Sequence, residues 1–173
     1  MSSKTWFLLA SILLTSMPTL FAQTSESELQ LGIEAFKENQ YEKAINHFDK
    51  AVELNSTNTR AHMYLATAYL SQYIPGVDTD ENRSQAEGAI LHYRQVLDLS
   101  TDRDQRLNAA NCIAYIYLNM KNWDEARKYY QMASDIAPND PEPYYSIGVI
   151  DSSRCYQPGW RPEPDWACNR TRT

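Results

Sequence analysis

The sequence predicts an all-α fold, a solenoid of stacked antiparallel helix pairs. The stretch from Leu107 to Asp140 is 34 residues long and holds two amphipathic segments on either side of a polar turn at residues 119–122. Its apolar side chains recur at the three- and four-residue spacing of a helix. Glycine is scarce, with five residues in 173, as suits helices. One such pair cannot bury its outer face alone, so we expect neighbouring copies.

The helix pair at residues 107–140 combines small and large side chains. Ala114 and Ala126 let the two backbones approach closely, whereas Trp123 and Tyr130 fill the space between the helices. We therefore expect Tyr130 to be buried. Pro138 ends the second helix, because proline lacks the N–H group and clashes with the preceding turn.

This unit resembles a tetratricopeptide repeat, a 34-residue helix–turn–helix. The resemblance implies a right-handed superhelical solenoid with a helical repeat domain at residues 23–150. Residues 41–45 match residues 123–127 in pattern, which extends the resemblance to a second copy. The expected units are repeats at residues 25–58, 59–103 and 107–140, a half repeat at 141–150, and an irregular tail at 151–173 that contains proline, tryptophan and arginine.

The second repeat is longer than the others. Leu65 and Ala89 are 24 residues apart. The equivalent residues of the first repeat, Leu31 and Ala44, are 13 apart, so eleven residues are extra. They fall within residues 72–85.

The insertion has the features of a turn followed by a helix start. Residues 74–77, Ile-Pro-Gly-Val, predict a turn. Thr79 predicts the cap of a lengthened helix that starts near Asp80, with acidic residues at its positive end. The sequence leaves two interpretations open: a solvated loop plus an extra helical turn, or a protrusion that contacts a partner.

Residues 1–22 read as a secretory signal peptide. Lys4 supplies a positive start, residues 6–14 form an apolar core, and Ala22 precedes a plausible cleavage site. The alternative is an uncleaved membrane anchor. We expect export, to the periplasm or outside the cell, and the bacterial periplasm is the expected compartment by analogy with other chains of this kind.

Charge and cysteine content restrict the partners. The net charge is −6, and the scattered Lys and Arg form no basic stripe, so a nucleic-acid partner is not expected.

Cys112 lies within a helical pattern and is expected to be a small buried side chain. Cys155 and Cys168 bracket the tail, and the spacing alone leaves open whether they pair.

No catalytic, metal or cofactor site is expected, and we predict that the protein is not an enzyme. His47 and His92 occupy equivalent repeat positions, each one residue before an aromatic residue, and the third repeat has Tyr129 there. A repeated position is more simply a packing position than a ligand. The sequence has no His-x-x-x-His or paired-cysteine spacing and no glycine-rich phosphate loop.

The resemblance places the functional surface on the first helix of each repeat. In the family these helices line a concave face that holds a peptide or a partner helix. We expect Asn111 to hydrogen-bond a peptide backbone, Tyr115 to stack and Met63 to adapt. The predicted partner-binding residues are Ile33, Lys37, Arg60, Met63, Thr67, Asn108, Asn111, Tyr115, Asn119 and Tyr145, with Leu29, Ser71 and Val149 at equivalent inward positions.

Some family members clamp a C-terminal carboxylate with basic and amide side chains. The matching positions here are Leu29, Ile33, Tyr64, Asn108 and Cys112. Only one of them is polar in the way required, so this function is not supported.

The alternative to a binding scaffold is a self-associating structural module. The fourth repeat lacks a recognisable second helix, and the tail has no helical period. Three explanations stay open: the tail covers the exposed end with its two tryptophans, the end is a dimer contact, or the tail is a truncated or frame-shifted ending.

Overall fold

The structure is a computed structural model, and it describes residues 24–155. This part of the chain is all helical, as the sequence predicts, and contains no strand. Seven helices follow one another: α1 (Thr24–Lys37), α2 (Tyr41–Leu54), α3 (Thr59–Gln72), α4 (Asp80–Leu99), α5 (Arg103–Asn119), α6 (Trp123–Ile136) and α7 (Pro141–Cys155).

Each helix packs against its neighbours in sequence. The most extensive contacts lie within the pairs α1–α2, α3–α4 and α5–α6, and smaller contacts join each pair to the next. Helix α1 also touches α3, so the first helices of consecutive repeats lie side by side. One buried cluster holds the first repeat against α3, and a second joins α3 through α7. The arrangement is the predicted stack of antiparallel helix pairs.

An aromatic ring from the second helix of each pair fills the space between the two helices. Phe48, Tyr93 and Tyr130 hold equivalent positions and are at most 7% exposed. Tyr130 is thus buried, as predicted. In the first repeat this ring lies on Gly32: a Cβ there would be 2.4 Å from Phe48 Cε1, so the close approach requires glycine.

The insertion in the second repeat folds as predicted. Val77 N–H donates to Ile74 O to form a turn, and α4 begins at Asp80. The Thr79 hydroxyl oxygen accepts from Asn82 N–H and caps the helix. The buried Asn82 side chain then ties the loop together, accepting from Ile74 N–H at 2.7 Å and donating to Ile74 O at 2.9 Å and Val77 O at 2.7 Å.

The last helix is longer than the sequence predicts. We placed the start of an irregular tail at residue 151, whereas α7 continues to Cys155. The hydroxyls of Ser152 and Ser153 donate to the carbonyls one turn earlier, at Gly148 and Val149, and no proline interrupts the chain before Pro158. The signal peptide at residues 1–22 and the pairing of Cys155 with Cys168 lie outside the described residues.

Candidate partner-binding groove

The first helices α1, α3, α5 and α7 carry the predicted binding face. We call this face the groove and define it by the inward positions that recur on these helices, from Leu29 on α1 to Val149 on α7. The structure divides these residues into exposed, half-buried and buried groups. That division decides which of them a partner can reach.

The centre of the groove lies on α5. Tyr115 is 43% exposed, and Asn111, one turn earlier, has a buried Oδ1 atom with no hydrogen-bond partner within residues 24–155. A buried carbonyl oxygen without a donor costs free energy, and a side-chain rotation that brings this amide oxygen to an incoming N–H group would recover that cost. Tyr73 follows α3 directly, and burial raises the pKa of its phenol, with a smaller increase from Tyr115.

Helix α7 extends the groove with exposed apolar surface. Tyr145 is 74% exposed and Val149 is 40% exposed. Both side chains follow the same inward register as Tyr115. The groove therefore ends in accessible aromatic and aliphatic side chains that a partner can cover.

The start of α5 is only partly as predicted. Asn108 is exposed and accepts from the Cys112 thiol at 3.5 Å. Cys112 is half-buried rather than fully buried, and burial raises the pKa of its thiol. A thiol held protonated is a weak nucleophile, which agrees with a packing role.

The second repeat contributes less than the sequence suggests. Met63 is half-buried, and the Thr67 hydroxyl donates to Met63 O at 2.8 Å and lies 3.1 Å from the Tyr93 hydroxyl. Thr67 is thus directed into the helix pair and is not free for a partner. The Ser71 hydroxyl likewise donates to Thr67 O, one turn earlier.

The first repeat corrects two predicted positions. Leu29 is fully buried and Ile33 is 9% exposed, because both belong to the core that joins α1 to α3. A partner cannot reach them. Lys37 is exposed at the end of α1, and Arg60 is exposed but forms an ion pair with Glu26 at 3.0 Å.

Asn119 closes the end of α5 rather than facing a partner. Its side-chain amide donates to Tyr115 O at 2.8 Å, which satisfies a carbonyl of the last turn. Asn119 also lines an open cavity of about 350 Å³ between the insertion and the α5–α6 turn, beside Tyr73, Met120 and Lys121. Sequence reasoning missed Tyr73 as a neighbour of the groove, because the insertion that follows it hides its repeat register.

The histidines occupy packing positions, as their repeat register predicts. His47 Nδ1 lies 2.7 Å from a Glu28 carboxylate oxygen. In the second repeat the same two positions hold His92 and His62, whose Nδ1 atoms are 3.0 Å apart. Within residues 24–155, no group of three or more His, Cys, Asp or Glu side chains is arranged to hold a metal ion.

None of the helices described in residues 24–155 has the length and apolarity that a membrane span needs.

Two family models match the chain where these helix pairs lie. A model described as TPR repeat matches residues 32–72, and one described as tetratricopeptide repeat (TPR) matches residues 108–140. The chain contains tetratricopeptide repeats. The matched segments run from the second half of α1 to the end of α3, and over most of α5 and all of α6. The TPR resemblance drawn from the sequence is thus confirmed.

Solved TPR structures share the fold. The first TPR domain of Spaghetti (RPAP3), bound to the HSP90 peptide SRMEEVD, is 18% identical with a TM-score of 0.59, over 76% of this chain and 93% of that one. The Arabidopsis OM64 TPR domain is 17% identical with a TM-score of 0.58, over 74% and 94%.

A third structure, YrrB, is described as a TPR protein with an unusual peptide-binding site. It is 16% identical with a TM-score of 0.57, over 77% of this chain and 65% of its own. No curated protein matches the sequence. At these identities the structural matches show the solenoid fold.

Proposed function

We propose that this TPR protein is a non-enzymatic scaffold that binds a peptide or helix of a partner protein in the groove. The observation that carries the proposal is the pairing of Asn111 and Tyr115 on α5. One has an amide oxygen that meets no hydrogen-bond donor in the described part of the chain, and the other offers an exposed aromatic ring one turn away. An extended peptide supplies both complements, a backbone N–H and an apolar side chain.

Other groove residues support the same reading. Tyr145 and Val149 continue the exposed apolar surface onto α7, and Tyr73 lines the cavity beside Asn119. Aromatic side chains contribute large contact area at a small entropic cost, which suits a recognition surface. Two of the TPR structures with this fold are described with peptide binding or a peptide-binding site. Export through residues 1–22 remains part of the proposal and would place the partner outside the cytosol.

Partner capture with a groove variant tests the proposal. The full chain is tagged and compared with Asn111→Ala/Tyr115→Ala, which removes the amide and the ring. We expect one partner to be retained by the parent and weakened at least tenfold by the variant, because two adjacent contacts each contribute about 1 kcal/mol or more. Circular dichroism checks that both chains are folded.

The matched control is Glu87→Ala/Leu91→Ala on α4. These residues have the same four-residue spacing, and both are exposed on a second helix. The control should bind like the parent. A partner lost equally by both double variants, or by neither, would overturn the groove proposal, and capture of only further copies of the chain would favour the self-associating module.

A further inference from the structure

Helix α7 has an open socket on the side where a second helix would pack. Gly148 holds the same repeat position as Gly32, against which the Phe48 ring lies. Ala66 and Ala114 hold this position in the second and third repeats and are fully buried. A Cβ built on Gly148, in contrast, meets nothing within 4 Å among the described residues.

The socket is a shallow, mostly apolar depression. It has a volume of about 420 Å³ and is lined by Tyr145, Gly148, Val149, Ser152 and Ser153, so it includes the α7 end of the groove. On the adjoining surface of the same helix, Tyr144 is 50% exposed. An apolar depression beside two exposed aromatic rings is suited to receive another aromatic side chain.

A regular second helix does not supply that side chain. Phe48 follows Gly32 by 16 residues, and Tyr130 follows Ala114 by 16. The residue 16 positions after Gly148 is Pro164, which cannot sit inside a helix. The chain after α7 nevertheless holds two tryptophans, Trp160 and Trp166.

We propose that residues 156–173 fold back along α7 as a non-helical cover and that Trp160 occupies the socket over Gly148. The chain is long enough to do so. Gly148 precedes Cys155 by seven residues, about 10 Å along a helix axis. Trp160 follows Cys155 by five residues, which span up to about 16 Å when extended.

Charge also favours residues 156–173 as the occupant of the socket. Residues 24–155 contain 12 Lys and Arg against 20 Asp and Glu, whereas residues 156–173 contain three Arg against two acidic residues. A slightly positive tail is thus attracted to a strongly negative repeat domain. Tethering adds a larger advantage, because a short linker gives an effective concentration on the order of millimolar, which exceeds the concentration of a second copy in dilute solution.

The test makes Trp160 the only tryptophan and measures its exposure. The full chain carries Trp6→Phe, Trp123→Phe and Trp166→Phe, and acrylamide quenching of the remaining fluorescence is recorded. Gly148→Leu is then added to fill the socket. A Cβ at this position meets nothing within 4 Å among the described residues, so the backbone of α7 can carry a side chain there. Ser84→Leu, at an exposed position on α4, is the matched control.

We expect blue-shifted emission in the parent and in Ser84→Leu, with a quenching constant about twofold lower than in Gly148→Leu, as for an indole moved from an apolar site to water. The protection should not change with protein concentration. Freely quenched Trp160 in the parent, or protection that survives Gly148→Leu, overturns the proposal.

Protection that grows with concentration also overturns it and assigns the socket to a second copy. If Trp123→Phe lowers the helical signal in circular dichroism, the same reading comes from the Trp160 fluorine resonance of the intact chain labelled with 5-fluorotryptophan. In that experiment, a Trp160 fluorine resonance that becomes solvent-exposed when Gly148→Leu is added supports the cover. A resonance that Gly148→Leu leaves unchanged contradicts it.

Discussion

At the scale of single residues, the second repeat contains a histidine pair, in which His62 is buried and His92 is half-buried. His62 Nε2 lies 3.0 Å from Ser56 O, and a carbonyl can only accept, so this nitrogen carries a proton. His62 Nδ1 then accepts from His92 Nδ1, and the two rings stack with centroids 5.3 Å apart. The pair thus joins α4 to the loop before α3 through two hydrogen bonds.

Acid should weaken the fold through His92. Burial, and next the neighbouring His62, lower its pKa from 6.5 to about 4. Between these values the unfolded chain binds a proton that the folded chain does not, so the free energy of unfolding falls as the pH drops from about 6.5 to about 4. One pKa unit corresponds to about 1.4 kcal/mol, and the partly exposed ring reduces the expected loss to on the order of 1–2 kcal/mol.

Urea unfolding at several pH values, compared with His92→Gln, measures this contribution. Glutamine cannot titrate, so the variant should lose less stability than the parent over the same range. Parallel curves for the two chains would show that His92 does not contribute to the acid sensitivity.

At the scale of elements, the insertion between α3 and α4 is a built structure. Asn82 is 7% exposed, and its side chain makes three hydrogen bonds to the backbone of Ile74 and Val77. Ile74 and Val77 themselves are 59% and 42% exposed. The loop is therefore held by one amide rather than by an apolar core of its own.

Removing that amide should release the loop. We expect Asn82→Ala to destabilise the insertion by about 1–3 kcal/mol, because it leaves several loop backbone groups without their partners. Limited proteolysis should then cut within residues 73–79 faster than in the parent. Ser84→Ala, at an exposed neighbouring position, should leave the cleavage rate unchanged. Cleavage of Asn82→Ala as slow as that of the parent would contradict this role for Asn82.

Sequence patterns predicted the helices better than the groove. The turn at residues 74–77, the Thr79 cap and the buried Tyr130 depend on local spacing, which a sequence displays directly. The exposure of Ile33 and Thr67 depends instead on which neighbouring helix covers them: α3 buries Ile33, and the Thr67 hydroxyl turns toward Tyr93. Helical register alone predicted both residues as part of the groove. It could not show that packing against neighbouring side chains makes them inaccessible to a partner.

At the scale of the whole molecule, the solenoid presents two kinds of surface. The first helices carry the groove, whose exposed part runs from Tyr115 on α5 to Tyr145 and Val149 on α7. The second helices carry charged side chains and a few isolated apolar ones such as Leu91. Isolated exposed apolar residues are ordinary on protein surfaces, whereas a row of rings beside an unpartnered amide is not.

The most direct test of the groove is site-specific photo-crosslinking. A photoreactive phenylalanine analogue replaces Tyr115 in one chain and Leu91, exposed on α4, in another. Each chain is irradiated with the captured partner. If the partner binds in the groove, we expect an adduct from position 115 and none from position 91. An adduct from position 91 alone would place the partner on the outer helices and contradict the account.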